Sequence, residues 1–245
     1  MTSLYSRSLS RMLAIVVGLS VALPAGLAGA NFTPPSNLGR PGNREGAATR
    51  GACKVQASET EPDLTAIVPV SNIGLTTATR PTLYWYLPSN NYQEIQFSLY
   101  QTKEDNTEAL IYDTQLPLAG RPRLDSLTLD GKVAPLIEGV DYRWVVSLIC
   151  NPNDPDPSQV RYVEGWVRRV TASPGLSESL KAATPLQQFE ILAENGLWYD
   201  ALTTLVEFQQ KQPTSSEAAA KWSELMNAQS VRLNRLSQQP QATGG

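Results

Sequence analysis

LIEGVDYRWVVSLIC occupies residues 136–150, NPNDPDPSQ follows at 151–159, and VRYVEGWVRRV fills 160–170. Two runs rich in β-branched and aromatic residues, joined by a polar, proline-studded turn, predict a long β-hairpin. Side chains alternate between faces along a strand, so Tyr142, Trp144, Val146, Leu148 and Cys150 share one side. That makes Trp144 and Leu148 core candidates. Tyr142 opens its strand just after Gly139. A hydroxyl there can donate to backbone a few residues upstream, the tyrosine-corner device of immunoglobulin-like sandwiches. An amphipathic strand with an edge tyrosine is the plainer alternative.

Upstream of the hairpin the signal stays β. Leu64–Val70 is a short apolar run, and in Pro81–Leu87 the residues Leu83, Trp85 and Leu87 oppose Tyr84 and Tyr86. Ile95, Phe97 and Leu99 alternate with polar residues, Leu110, Tyr112 and Thr114 fall on one face, and Leu124–Leu129 ends at the turn pair Asp130-Gly131. About seven short strands between turn residues predict an antiparallel sandwich rather than alternating strands and helices. From Pro174 the period becomes helical. Thr184 with Pro185 opens one helix that Asn195-Gly196 stops, Leu197–Gln210 is the next, and Thr214-Ser215-Ser216-Glu217 opens a third that runs past Trp222 toward Leu233. The expected architecture is α+β. An immunoglobulin- or fibronectin-like antiparallel β-sandwich over 63–172 is followed by a small helical hairpin within 173–237 and a disordered tail at 238–245.

The N-terminal residues 1–30 read as a signal peptide. Arg7 and Arg11 precede the apolar run Met12–Leu23, and Ala28-Gly29-Ala30 has the small-residue pattern of a cleavage site. An uncleaved anchor is the alternative, against which the run is short for a bilayer span. Cleavage would leave 18 basic against 23 acidic residues, a net charge of −5. A mildly acidic chain lacks the basic footprint of nucleic-acid binding. Residues 31–62, rich in Pro, Gly, Asn, Ser and Thr, read as a linker. Cys53 and Cys150 are the only cysteines; in an oxidising compartment they most simply form one disulfide, the alternative being two buried thiols.

The stretches PGNREGAATRGAC (41–53), GLTTATRPTLYWYLP (74–88), PLIEGVDYRWVVSLICNPNDPDPSQV (135–160), VEGWVRRV (163–170) and NGLWYDALTTL (195–205) resemble, in order, a family of secreted, mainly cyanobacterial proteins catalogued as a domain of unknown function, DUF928. The resemblance implies a signal peptide, export and no established activity. Relatives are often encoded near two-partner secretion or filamentous-haemagglutinin-like proteins, which hints at cell-surface assembly.

Chemistry is sparse. The chain has no histidine, which removes Ser-His-Asp and Cys-His catalysis and histidine-bearing zinc sites. No nucleophile elbow, phosphate loop or dinucleotide fingerprint is present. No catalytic residue and no cofactor is therefore assigned. Asp154 and Asp156, with Asn153 and Ser158, form the one weak Ca²⁺ candidate, but the glycine and glutamate of an EF-hand loop are missing and a hairpin turn explains the same residues. Arg40, Arg44 and Arg50 form a basic, glycine-interleaved motif that reads first as a solvated linker leading to the disulfide and second as a means of docking on an acidic partner or glycan phosphate; its place among the family's marked stretches raises the docking reading slightly. Tyr162 and Trp166 would share an outer strand face with Arg168. They could contact sugar or, as preferred, receive the helices, whose Leu202, Leu205, Trp222 and Leu225 need a surface to cover. The expected role is an exported, non-enzymatic protein–protein interaction or accessory module of the periplasm or cell surface, with a protein partner at the envelope. A glycan- or cell-wall-binding module is the alternative, and a histidine-free hydrolase with two converging carboxylates a third.

Overall fold

A computed structural model describes residues 32–46, 53, 61–118, 120–154 and 156–238. The signal-peptide reading, Arg50 and almost all of the tail lie outside these residues. The alternating stretches form strands Thr65–Ala66 (β1), Ile73–Thr76 (β2), Thr82–Leu87 (β3), Glu94–Thr102 (β4), Glu108–Leu116 (β5), Arg123–Thr128 (β6), Asp141–Ile149 (β7) and Val160–Arg169 (β8). Two sheets result, one ordered β1-β3-β6 and the other β2-β8-β7-β4-β5. They share one apolar core, in which the Trp85 ring lies 6.4 Å from that of Phe97.

The opening hairpin holds the centre of the larger sheet. β7 pairs with β8 from Asp141↔Arg168 to Ile149↔Val160 and with β4 on its other side. Tyr142, Trp144, Val146, Leu148 and Cys150 are all buried, as are Val163 and Val167 opposite them. The Tyr142 hydroxyl does close the corner, but as acceptor: the Ile137 N–H donates to it at 3.0 Å. One pair departs from the antiparallel expectation. β2 runs parallel to β8, because the chain leaves the smaller sheet after β1 and joins the edge of the larger one in the same direction.

Helices Pro174–Ala182 (α1), Pro185–Glu194 (α2), Trp198–Lys211 (α3) and Ser216–Asn227 (α4) follow. Gln187 Oε1 accepts from the Thr184 N–H at 2.9 Å, completing a capping pair at the start of α2. Ser215 caps α4 instead of Thr214, accepting from the Ala218 N–H at 3.2 Å. α4 ends at Asn227, short of the expected Leu233, because the chain folds back there and the Leu233 N–H reaches the Met226 carbonyl. Gly196 ends α2 at φ 72°, a conformation that costs glycine nothing, and a side chain there would also press on the Thr33 carbonyl.

The helices dock through the start of α3. Trp198 Nε1 donates to the Ile67 carbonyl at 2.8 Å, and the Phe32 ring meets the Trp198 ring edge-on at 4.9 Å. Tyr199 is fully buried; its hydroxyl accepts from Trp144 Nε1 at 2.8 Å and donates to the Trp166 carbonyl at 2.9 Å. Burial pushes that phenol well above its ordinary pKa, with the Trp144 bond working the other way. Asp200 accepts from the Thr77 N–H at 2.8 Å and from the Thr76 and Thr77 hydroxyls. Two rings crowd Gly74 so closely that a Cβ there would fall 2.7 Å from Tyr199 and 2.8 Å from Trp198. Gly74→Ala is therefore expected to wedge α3 off β2 and cost about 1–3 kcal/mol, read as a lowered urea midpoint.

Candidate functional site

Each sheet has two lateral edges, and the two sides of the sandwich treat them differently. On one side the supposed linker is laid against the body over residues 32–46. The Glu164 N–H donates to the Asn43 carbonyl at 2.9 Å, prolonging the edge of β8 beyond the reach of β2. The chain then crosses to β1, where the Ala66 N–H donates to the Arg44 carbonyl and the Gly46 N–H to the Leu64 carbonyl, both at 2.8 Å. This strap stitches the two sheets together, so its lack of apolar periodicity reflects backbone pairing rather than freedom.

Arg40 and Arg44 hold the strap. Arg40 binds the Asp141 carboxylate, Nε at 2.7 Å, and its guanidinium sits 5.1 Å from the centre of the Trp166 ring. Arg168 binds the same carboxylate, Nη2 at 2.9 Å. Burial alone would raise the Asp141 pKa, but the hydrogen bonds and charges of Arg168 and Arg40 outweigh it and hold the group below the ordinary carboxylate value. Arg44 donates to the Val231 carbonyl at 2.5 Å and the Val68 carbonyl at 3.2 Å. Burial lowers its pKa first, the facing Arg232 adding to the effect while Glu45 opposes it. Both arginines are thus engaged within the chain.

Trp166 is covered by the strap, not by the helices. It is 6% exposed, with Nε1 donating to the Pro41 carbonyl at 3.0 Å. Of the expected pair only Tyr162 reaches solvent, at 44% exposure. No continuous aromatic row remains.

A pH dependence follows from Asp141. Its folded pKa lies below the unfolded one, so its contribution is fully present above the unfolded value, near 3.8, and is lost as pH falls through the lower folded value. Asp141→Asn is expected to lower stability at neutral pH, with the gap to the parent closing as pH falls below the ordinary carboxylate value. Urea midpoints of both proteins across that range check this.

The other side of the sandwich is open. Among the described residues β5 pairs only with β4 and β6 only with β3. β6 turns Asp125 inward against Arg123, Nη2 at 2.6 Å, and so carries a charge of the kind that discourages edge pairing. β5 differs. Its register slips between Leu99↔Tyr112 and Tyr100↔Leu110, leaving Ile111 as an extra, bulged residue. The bulge reverses the phase of the strand, so Leu110 departs from the face it was expected to share with Tyr112. Leu110 and Ile111 stand side by side in solvent, 54% and 38% exposed. Beside them Arg143 stacks over the Tyr100 ring at 4.5 Å and binds Glu108 and Glu164, the Nη1–Glu164 contact measuring 2.9 Å.

Other acids are occupied locally. Asp154 accepts from the Asp156 N–H at 3.1 Å and from the Gln159 amide, while Asp156 accepts from the Ser158 N–H at 2.8 Å. Among the described residues no three acids or cysteines converge as metal ligands. Glu190 and Glu224 approach each other across Lys221, as Glu108 and Glu164 do across Arg143, so each pair is bridged by a cation. Cys53 and Cys150 are joined in a disulfide with Cα atoms 5.4 Å apart.

The class these features define is an α+β protein with two sheets and four helices among the described residues, disulfide-closed, with a strap across one side of the sandwich. The chain belongs to the family described as Domain of Unknown Function (DUF928), whose model matches residues 45–241. No curated protein and no solved structure matches it. Among the described residues no helix is long and apolar enough to cross a membrane.

Proposed function

We propose that the protein is an exported, non-enzymatic interaction module of the periplasm or cell surface, and that it meets a protein partner along the outer side of β5. The carrying observation is the asymmetry of the sandwich. One side is closed by a strap, whereas β5 leaves Leu110 and Ile111 in water beside an unpaired strand edge. A chain that covers one edge and leaves an apolar one open has a surface suited to a partner. The disulfide accords with an oxidising compartment. The order β1-β3-β6 against β2-β8-β7-β4-β5, with the chain switching sheets after β1 and a tyrosine closing the corner before β7, supports an immunoglobulin-like reading of the sandwich.

A photo-crosslinking residue at Ile111, introduced in the producing cell, is expected to give a discrete protein adduct that Leu110→Glu removes. The same residue at exposed Asn153 should give none. Equal labelling from both positions, or none from Ile111, argues against the reading. Glycan contact is the second reading and rests on Tyr162, which the strap leaves exposed beside its own bond from Asn43 Nδ2 to the Tyr162 carbonyl.

A further inference from the structure

We infer that β5 is a strand-addition site for an extended, basic segment of a partner protein, paired with Tyr112–Leu116 and anchored on Leu110 and Ile111. This rests on the interaction reading above and names the chemistry of the partner. Beyond the bulge, β5 continues in unbroken register from Tyr112 to Leu116, opposite Leu99 to Ile95. An edge strand has every second backbone N–H and C=O directed away from its neighbour, and an incoming strand satisfies these groups in one ladder. The bulge ends that ladder at Ile111. It also leaves two adjacent aliphatic side chains in solvent, an apolar step for one residue of the ligand.

Charge selects the occupant. Glu108 is matched by Arg143, which leaves exposed Glu104, Asp105 and Asp113 against Lys103 along the turn and strand. Hydrogen bonds from the Thr107 hydroxyl and N–H hold the Asp105 carboxylate below its ordinary pKa, so it stays charged in mild acid. Asp113 accepts from Gln96 Nε2 at 2.8 Å and from the Ser98 hydroxyl at 2.7 Å, both neutral donors that leave its charge in place. Two copies meeting antiparallel across Tyr112–Leu116 would set the two Asp113 carboxylates on one face as diagonal neighbours, and like charges so placed disfavour a strand pair. A lysine- or arginine-bearing strand meets the opposite situation.

The test uses the mature, disulfide-bonded protein and a short fluorescent peptide of alternating lysine and threonine with one central isoleucine. Fluorescence anisotropy is expected to report binding that weakens by about tenfold or more when glutamate replaces lysine, or when the protein carries Leu110→Glu. Peptides N-methylated along one edge or the other supply the decisive comparison. Only one edge of an added strand faces β5, so one isomer should lose binding and the other retain it. Equal affinity of the two isomers, or of the acidic and basic peptides, overturns the inference. So does a concentration-dependent dimer in sedimentation that Leu110→Glu abolishes, since a second copy would then be the occupant. If the basic peptide fails while Ile111 still crosslinks to a protein, strand addition falls and the interaction reading stands; if both fail, both fall.

Discussion

Trp198→Ala is expected to lower stability by about 3–5 kcal/mol, among the largest losses available to a single core substitution. The indole is fully buried against Phe32 and crowds Gly74, so truncation opens a cavity where α3 meets β2. It also leaves the Ile67 carbonyl without its donor at the point where the chain leaves β1 for β2. A buried acceptor stripped of its partner costs free energy beyond the lost packing. Urea unfolding should show a sharply lower midpoint. Trp198→Phe separates the two contributions, since it keeps much of the apolar volume while removing the N–H. A result for Trp198→Ala within about 1 kcal/mol of the parent would mean that the helices are not held through this contact.

Loss of the disulfide is the second large effect. Cys53 and Cys150 are 97 residues apart, so the bond closes a long loop in the unfolded chain. Chain entropy assigns such a loop about 4–5 kcal/mol, less any residual structure in the unfolded state. Cys150→Ala or reduction should lower the thermal midpoint by roughly 10 °C or more for a chain of this size. Cys53 follows Gly46, the last paired residue of the strap, by seven positions, and the bond ties it to the end of β7. Reduction removes this tie beside the strap, so limited proteolysis is expected to cut reduced protein sooner than oxidised protein. Equal cleavage of oxidised and reduced protein would sink that expectation.

The β7–β8 hairpin was legible because strict alternation over Tyr142–Cys150 and a turn of Asn, Asp and Pro both report on local backbone geometry. The start of α2 was legible for the same reason, since a cap and a proline act within one turn. β2 was not. Ile73–Thr76 is four residues long and pairs with a strand some ninety positions later in a parallel register, which no local pattern encodes. The strap escaped notice because its hold is made by backbone groups and arginines, which look in sequence like a solvated, glycine-rich linker. At the candidate site the residues were read correctly as a strand but placed on the wrong face. Periodicity assigned Leu110 to the side of Tyr112, and a one-residue bulge at Ile111 reverses that assignment without any glycine or proline to signal it. Trp166 shows the converse. Its outward direction was legible, but what lies over it was not, because the cover comes from Arg40 and Pro41, about 125 residues earlier.

The strap also sets the order in which the protein can finish folding. Ser230 Oγ donates to the Phe32 carbonyl at 2.8 Å across 198 residues, and Arg44 reaches the Val231 carbonyl across 187. A chain emerging N-terminus first would present residues 32–46 long before the carbonyls and edges that receive them exist. Until β8 is made, the strap has no second sheet to reach and the intermediate carries two unprotected sides rather than one; until the segment after α4 arrives, it lacks the Val231 and Ser230 contacts. Contacts of such long range place folding on the slow, millisecond-to-second side of the scale. During that interval the chain depends on its surroundings to keep those edges apart.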